Sequence, residues 1–133
     1  MIATVTPVIA ASLFDSLGVA KWTVVDRATF TSLEIFQIDL PLAKRLKSTY
    51  RGSVYRRKHV AYWTVAGRDS ELFAEAILPY LSRKRDVVEF YLAARSRVIN
   101  SNGRGTASTL NDDDLEMRRQ IAQEFVAMQK EEL

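Results

Sequence analysis

Gly18 stands where the chain changes period. The residues before it, Ala10-Ala11-Ser12-Leu13-Phe14-Asp15-Ser16-Leu17, read as an apolar helix lined with small side chains. Those after it, Val19-Ala20-Lys21-Trp22-Thr23-Val24-Val25, alternate as a strand does. Thr6 is placed to cap the helix, and Pro7 takes the first helical position, where a missing N–H has no partner to lose. Gly18 supplies the stop, so the helix covers residues 7–17. Helical spacing sets Ala11 one turn from Asp15 and Ser12 one turn from Ser16. That stripe is nearly free of bulk, and a second helix backbone can approach it closely.

The same alternation of periods continues downstream. Residues 19–25 and 29–38 form a hairpin around Asp26-Arg27-Ala28. Period two points Ala20, Trp22, Val24, Leu33 and Ile35 inward and Lys21, Thr23, Ser32 and Glu34 outward. Asp39 before Leu40-Pro41 caps a helix running to about Tyr50, with Leu42 and Leu46 on its apolar side and Gly52 marking the turn. Residues 53–57 and 60–66 make a second hairpin around Lys58-His59. Ala61, Trp63 and Val65 then face inward, and Tyr55, Arg57, Tyr62 and Thr64 outward. Gly67 ends the strand, Asp69 or Ser70 starts a helix carrying Leu72, Phe73, Ala76 and Ile77, and Leu78-Pro79 breaks it. Asp86 caps a long helix to about Asn100, buried through Val87, Val88, Tyr91, Leu92 and Val98.

Residues 101–109 have the composition of a flexible linker. From residue 110 an acidic helix begins, with Asp112-Asp113-Asp114 where a helix N-terminus favours anions and Leu115, Ile121, Phe125 and Met128 as its apolar stripe. The chain thus divides into a core over residues 1–100, the linker, and a C-terminal helix over 110–133 that docks on the body or on a second subunit.

At 133 residues one domain and one core are expected. No window has the ~20 uninterrupted apolar residues that a membrane span needs, and the start lacks the basic n-region and cleavage site of a secretory signal. With no cysteine, disulfides and thiolate metal sites are excluded. The expected place is the cytoplasm, of a bacterial or phage-infected cell. The net charge of +3 conceals an asymmetry: residues 111–133 hold seven acids and three bases, leaving sixteen bases, nine acids and a net +7 in residues 1–110. Residues 41–60 carry Lys44, Arg45, Lys47, Arg51, Arg56, Arg57 and Lys58 without one acid, and Arg83-Lys84-Arg85 adds a second cluster. Such a distribution is the footprint of a polyanion binder.

Residues 10–18 resemble the nine-residue signature of the LAGLIDADG homing endonucleases, which ends in acid-Gly. Three later segments, in order, resemble that family too. Gly52-Ser53-Val54-Tyr55-Arg56-Arg57 is similar to its Gly-x-Val-Tyr strand opening. Tyr62-Trp63-Thr64-Val65-Ala66-Gly67-Arg68 is similar to its aromatic strand ending in Gly. Leu78-Pro79-Tyr80-Leu81-Ser82-Arg83-Lys84-Arg85 is similar to its Leu-x-Pro-x-Leu-x-x-Lys turn. The resemblance implies an α+β fold: an αββαββα core with a four-stranded antiparallel saddle sheet, here with extra C-terminal helices. One motif per chain implies a homodimer paired through the first helix, with Ala11, Ser12, Asp15 and Ser16 between the protomers. The sheets would then lie in DNA major grooves.

On that basis Lys21, Thr23, Arg27, Ser32, Glu34, Tyr55, Arg57, Tyr62 and Thr64 are expected at base edges. Lys44, Arg45, Lys47, Arg51, Lys58 and Lys84 are expected at phosphates. His59, alone at a turn, is read as a surface residue. The departure from the family lies at its metal-binding acid, where this chain has Leu17. Phosphodiester cleavage with metals needs carboxylates at the centre, so no catalytic residue and no metal or other cofactor is expected. Asp15 and Lys84 enter catalysis, with Mg2+, only if the chain is a nuclease. The expected function is that of a cleavage-inactive, dimeric, sequence-specific DNA-binding regulator, most simply a repressor. The alternatives are an active or heterodimeric homing endonuclease, and a phage or plasmid interaction module working through the acidic helix.

Overall fold

The computed structural model describes residues 4–102 and 112–131. Its elements run α1 (Pro7–Leu17), β1 (Gly18–Val25), β2 (Ala28–Ile38), α2 (Leu40–Tyr50), β3 (Ser53–Arg57), β4 (Val60–Ala66), α3 (Gly67–Ile77), a 3-10 turn (Leu78–Tyr80), α4 (Arg85–Asn102) and α5 (Asp112–Glu131). The strands make one antiparallel sheet in the order β1-β2-β4-β3. The α+β expectation holds element by element. α4 runs two residues into the segment expected as a linker, and residues 103–109 of that segment lie outside the described residues. Among the described residues no helix is long and apolar enough to cross a membrane.

Local chemistry explains the boundaries. The Thr6 hydroxyl accepts from Ile9 N at 3.4 Å and the Asp39 carboxylate from Leu42 N at 2.8 Å, so α1 and α2 begin with proline just inside a side-chain cap. Two-residue turns at Asp26-Arg27 and Lys58-His59 close the hairpins, with Asp26 and Lys58 in the left-handed region at φ 54° and 58°. A bulge between Ile35 and Ile38, with Gln37 at φ 57°, bends β2.

Gly18 ends α1 as expected, while the expected start of α3 is corrected. Gly18 is extended, φ −89° and ψ 155°; a Cβ there would collide with the Phe14 ring and carbonyl. It is glycine because α1 turns onto the strand with no room for a side chain. α3 starts at Gly67, ahead of Asp69 and Ser70. Ser70 does not cap it: its hydroxyl is buried, donating to Gly67 O at 2.6 Å and meeting Tyr91 Oη at 2.8 Å.

The five α-helices of the described residues gather on one side of the sheet, where period two predicted the inward set. Phe14, Tyr50 and Trp63 converge on Phe73, with ring centroids 6.4, 4.9 and 4.7 Å from it. Trp22, Phe90 and Tyr91 converge on Phe125 at 5.7, 4.8 and 6.2 Å, which brings α5 into the same core as the rest of the chain. Gln129 fixes α5 against the outer edge of β1, donating to Ala20 O at 2.9 Å and accepting from Ala20 N at 2.8 Å. Trp22 Nε1 donates to Arg118 O at 3.1 Å.

One carboxylate ties the start of α4 to α1. Asp15 Oδ2 accepts from Ser82 N at 2.9 Å and Ser82 Oγ at 3.2 Å, and Oδ1 accepts from Lys84 N at 2.9 Å. Replacing Asp15 with Ala should destabilise the chain by about 2 kcal/mol, as the loss of a multiply bonded cap does. Urea denaturation measures this, and an unchanged midpoint would show that the carboxylate is not structural.

Burial raises the Tyr91 hydroxyl above its ordinary 10.0, against the opposing effects of Ser70, Thr31 and Arg95; burial raises Tyr50 in the same direction. The folded chain therefore ionises later than the unfolded one, and stability that is intact below pH 10.0 falls as pH climbs further. Tyr91→Phe should flatten that alkaline decline while lowering stability at neutral pH by about 1 kcal/mol, as read from denaturation midpoints between neutral and alkaline pH.

Candidate nucleic-acid interface

The face of the sheet turned away from the helices is built by the alternate residues of four strands. Lys21 and Thr23 come from β1, Phe30, Ser32, Glu34 and Phe36 from β2, Tyr62 and Thr64 from β4, and Ser53, Tyr55 and Arg57 from β3. The register sets Lys21 opposite Ser32, Thr23 opposite Phe30, Glu34 opposite Thr64 and Tyr55 opposite Tyr62. Of the nine residues expected at base edges, eight thus share one surface. Arg27 is at the hairpin tip, 3.7 Å from Asp112 of α5.

Glu34 departs from the expectation of an open acceptor. It points to the outward face but is only 6% exposed, with Lys21 Nζ 2.7 Å from its Oε2. A carboxylate covered in this way holds the lysine in place and offers little to a ligand.

Sequence reasoning placed Tyr55 and Tyr62 on this face but missed Phe30 and Phe36. Tyr55 stacks on Tyr62 at 5.2 Å and 22°, Phe36 lies 5.6 Å from Tyr62, and the Lys21 ammonium is 5.4 Å from the Phe36 centroid. Phe30 is 61% exposed. The parity of β2 already put Phe30 and Phe36 with Ser32 and Glu34; phenylalanine is simply not read as a surface residue.

The basic residues fall into separate groups. Arg56, Arg57, Lys58 and His59 are exposed at the free edge and tip of the β3-β4 hairpin. Lys44, Arg45 and Lys47 are exposed on α2, which packs Ala43 and Leu46 into the core beneath β4. They therefore belong to the helical layer and are not brought to the sheet face. Arg51 follows α2 with φ 69°, its carbonyl accepting from Trp63 Nε1 at 2.7 Å.

The third group lines a cleft of about 300 Å³ at the α1–β1 junction, formed by Ser16, Gly18, Val19, Arg83, Lys84, Gln129 and Lys130. Lys84 Nζ donates to the Gly18 carbonyl at 2.5 Å and lies 5.9 Å from the Phe14 centroid. A divalent cation needs oxygen donors with negative charge. Leu17 brings none, the Asp15 oxygens accept from Ser82 and Lys84, and the Gly18 carbonyl already receives an ammonium. Among the described residues no three acids or histidines gather anywhere. These donors do not fit a metal ion; three cationic side chains around a cleft fit an anion.

The small-residue stripe of α1 is also revised. Ala11 is wholly buried within the chain, as is Ala10, and Asp15 faces the residues before α4. Ala11 therefore has no surface to offer a second helix, and the Asp15 carboxylate is engaged within the chain. Ser12 and Ser16 are exposed, and beside them lie Val8 and Ile9, 56% and 53% exposed.

No family model and no curated protein sequence matches this chain. Solved structures do. The homing endonuclease I-CvuI, determined with its DNA target and calcium, superposes with a TM-score of 0.75 over 92% of this chain and 80% of its own, at 19% identity. The LAGLIDADG meganuclease I-AabMI, bound to uncleaved DNA, gives 0.71 over 89% of this chain and 44% of its own, at 16% identity. The homing endonuclease I-TnaI gives 0.65 over 98% of this chain and 100% of its own, at 12% identity. By these superpositions this chain has the fold of the LAGLIDADG homing endonucleases.

Proposed function

We propose that the chain is a cleavage-inactive, sequence-specific double-stranded DNA-binding protein that acts as a homodimer and regulates transcription, most simply by repression. The observation that carries this reading is the junction itself: where metal-assisted cleavage needs carboxylates, the chain has Leu17 and a lysine ammonium on the Gly18 carbonyl. Beside it the sheet keeps a face of donors and rings with basic residues at its free edge. Such a surface suits a duplex, with Lys21, Thr23, Ser32, Arg57 and the tyrosines toward base edges and Arg56, Lys58, Arg83 and Lys84 toward phosphates. An interaction module working through α5 is less favoured, because the apolar stripe of that helix is already buried against β1 and α4.

The exposed Val8 and Ile9, with Ser12 and Ser16, form the surface on which two α1 helices would meet. Ile9→Asp should halve the mass seen by sedimentation and weaken DNA binding by more than tenfold. A wild-type chain that stays monomeric at tens of micromolar would overturn the dimer.

Selection from a random duplex library, followed by binding to the recovered site across a salt series, tests specificity. Each neutralised phosphate contributes about −0.9 to the slope of log affinity against log salt, and a slope of roughly −5 to −9 is expected for two protomers. Absence of any sequence preference would defeat the reading. With magnesium or manganese at saturating protein, plasmid carrying the site should remain uncut; a nicked or linear product would favour the endonuclease alternative instead.

A further inference from the structure

The open sheet face carries more uncovered ring surface than a strand facing water ordinarily keeps. Phe30 is 61% and Tyr55 48% exposed, and Phe36, Tyr62 and Tyr55 form a continuous line across β2, β4 and β3. Lys21 sits between the two ends. It lines one groove with Thr23, Phe30 and Ser32, and another with Phe36, Arg57 and Tyr62, each about 420 Å³. Exposed apolar surface of this extent is stabilised when a ligand brings apolar surface to cover it.

The choice of ligand group follows from charge and chemistry together. The basic edge calls for a polyanion, and the one carboxylate of the face, Glu34, is covered by Lys21. Among the base edges displayed in a major groove, only the C5-methyl of thymine is apolar. We propose that Phe30 and the Phe36–Tyr62 pair read thymine methyl groups, so that these rings determine sequence specificity. This rests on the reading that the sheet lies in the major groove. Phe30 and Phe36 are separated by six residues of β2, or roughly 20 Å at about 3.3 Å per residue. That spans about six base-pair steps. Each half-site therefore carries two methyl-dependent positions about that far apart.

The test uses the full chain and a duplex recovered by selection. Each dT is replaced in turn by deoxyuridine, which removes the methyl and nothing else. A loss of roughly fourfold is expected at two positions per half-site, the equivalent of one buried methyl, and normal affinity elsewhere. Phe30→Ser should abolish the deoxyuridine effect at one of the two positions and leave the other, while Phe30→Leu keeps both. Phe30 is exposed, and thermal melting of each variant confirms that the fold is retained. Selective binding that is indifferent to deoxyuridine at every position overturns the proposal while leaving DNA recognition standing. Tighter binding to either single strand than to the duplex assigns the rings to base stacking and also overturns it. Failure to select any duplex removes both this proposal and the function it rests on.

Discussion

Everything in this molecule hangs from a reciprocal lock between the α1–β1 junction and the residues that lead into α4. Asp15 reaches from α1 to the Ser82 and Lys84 amides, and Lys84 reaches back to the Gly18 carbonyl. The two ties run in opposite directions across one contact, and Gly18 is packed so closely on Phe14 that no side chain fits. The lock fixes the angle at which the first strand leaves the first helix. Since β1 pairs with β2, and β2 with β4, that angle orients the whole sheet. The same groups cannot also serve a cation: a carboxylate holding three donors and a carbonyl holding an ammonium have little left to coordinate. One arrangement thus stabilises the junction and engages its oxygen donors.

The two edges of the sheet are handled differently, and this leaves one side open. At β1 the free backbone is covered: Gln129 pairs with both the N–H and the carbonyl of Ala20, and Trp22 stacks on Phe125. At β3 no described strand or helix pairs with the free edge, and Arg56 and Arg57 stand there exposed. Both devices prevent edge-to-edge pairing with another sheet. Only the second leaves positive charge accessible, so the asymmetry that protects the sheet also directs its electrostatic attraction to the β3-β4 hairpin.

The sequence was legible where one side chain or one period decides the outcome. Caps at Thr6 and Asp39, the two hairpin turns and the inward set from Ala20 to Val65 follow from local rules, and all appear as expected. What was not legible depended on which neighbour a side chain meets. Helical spacing put Ala11 and Asp15 on one stripe but could not say that the sheet and the residues before α4 occupy it from within the chain. Period two put Glu34 outward without showing that Lys21 would cover it. Composition gave α2 its bases, yet only the packing of Ala43 and Leu46 reveals that they ride behind the sheet. The rings at Phe30 and Phe36 obeyed the parity rule and were passed over because apolar residues are assumed to be core.

These placements divide the positive charge into two classes with different consequences. Lys21 and Arg27, the cations of the β1-β2 hairpin, each have an acid beside them, Glu34 and Asp112. Arg56, Arg57 and Lys58 have no ion pair among the described residues. A polyanion approaching the sheet is attracted first to the unpaired edge, where the interaction is long-ranged and indifferent to sequence. At the β1-β2 hairpin it must compete with acids already in place, and Asp112 is the more easily displaced because its contact with Arg27 is long and exposed. A covered Glu34 keeps Lys21 from acting as a freely swinging point charge and holds it between the two aromatic grooves. Attraction at the rim and restraint at the centre favour a ligand whose groups match the central face over one that offers charge alone.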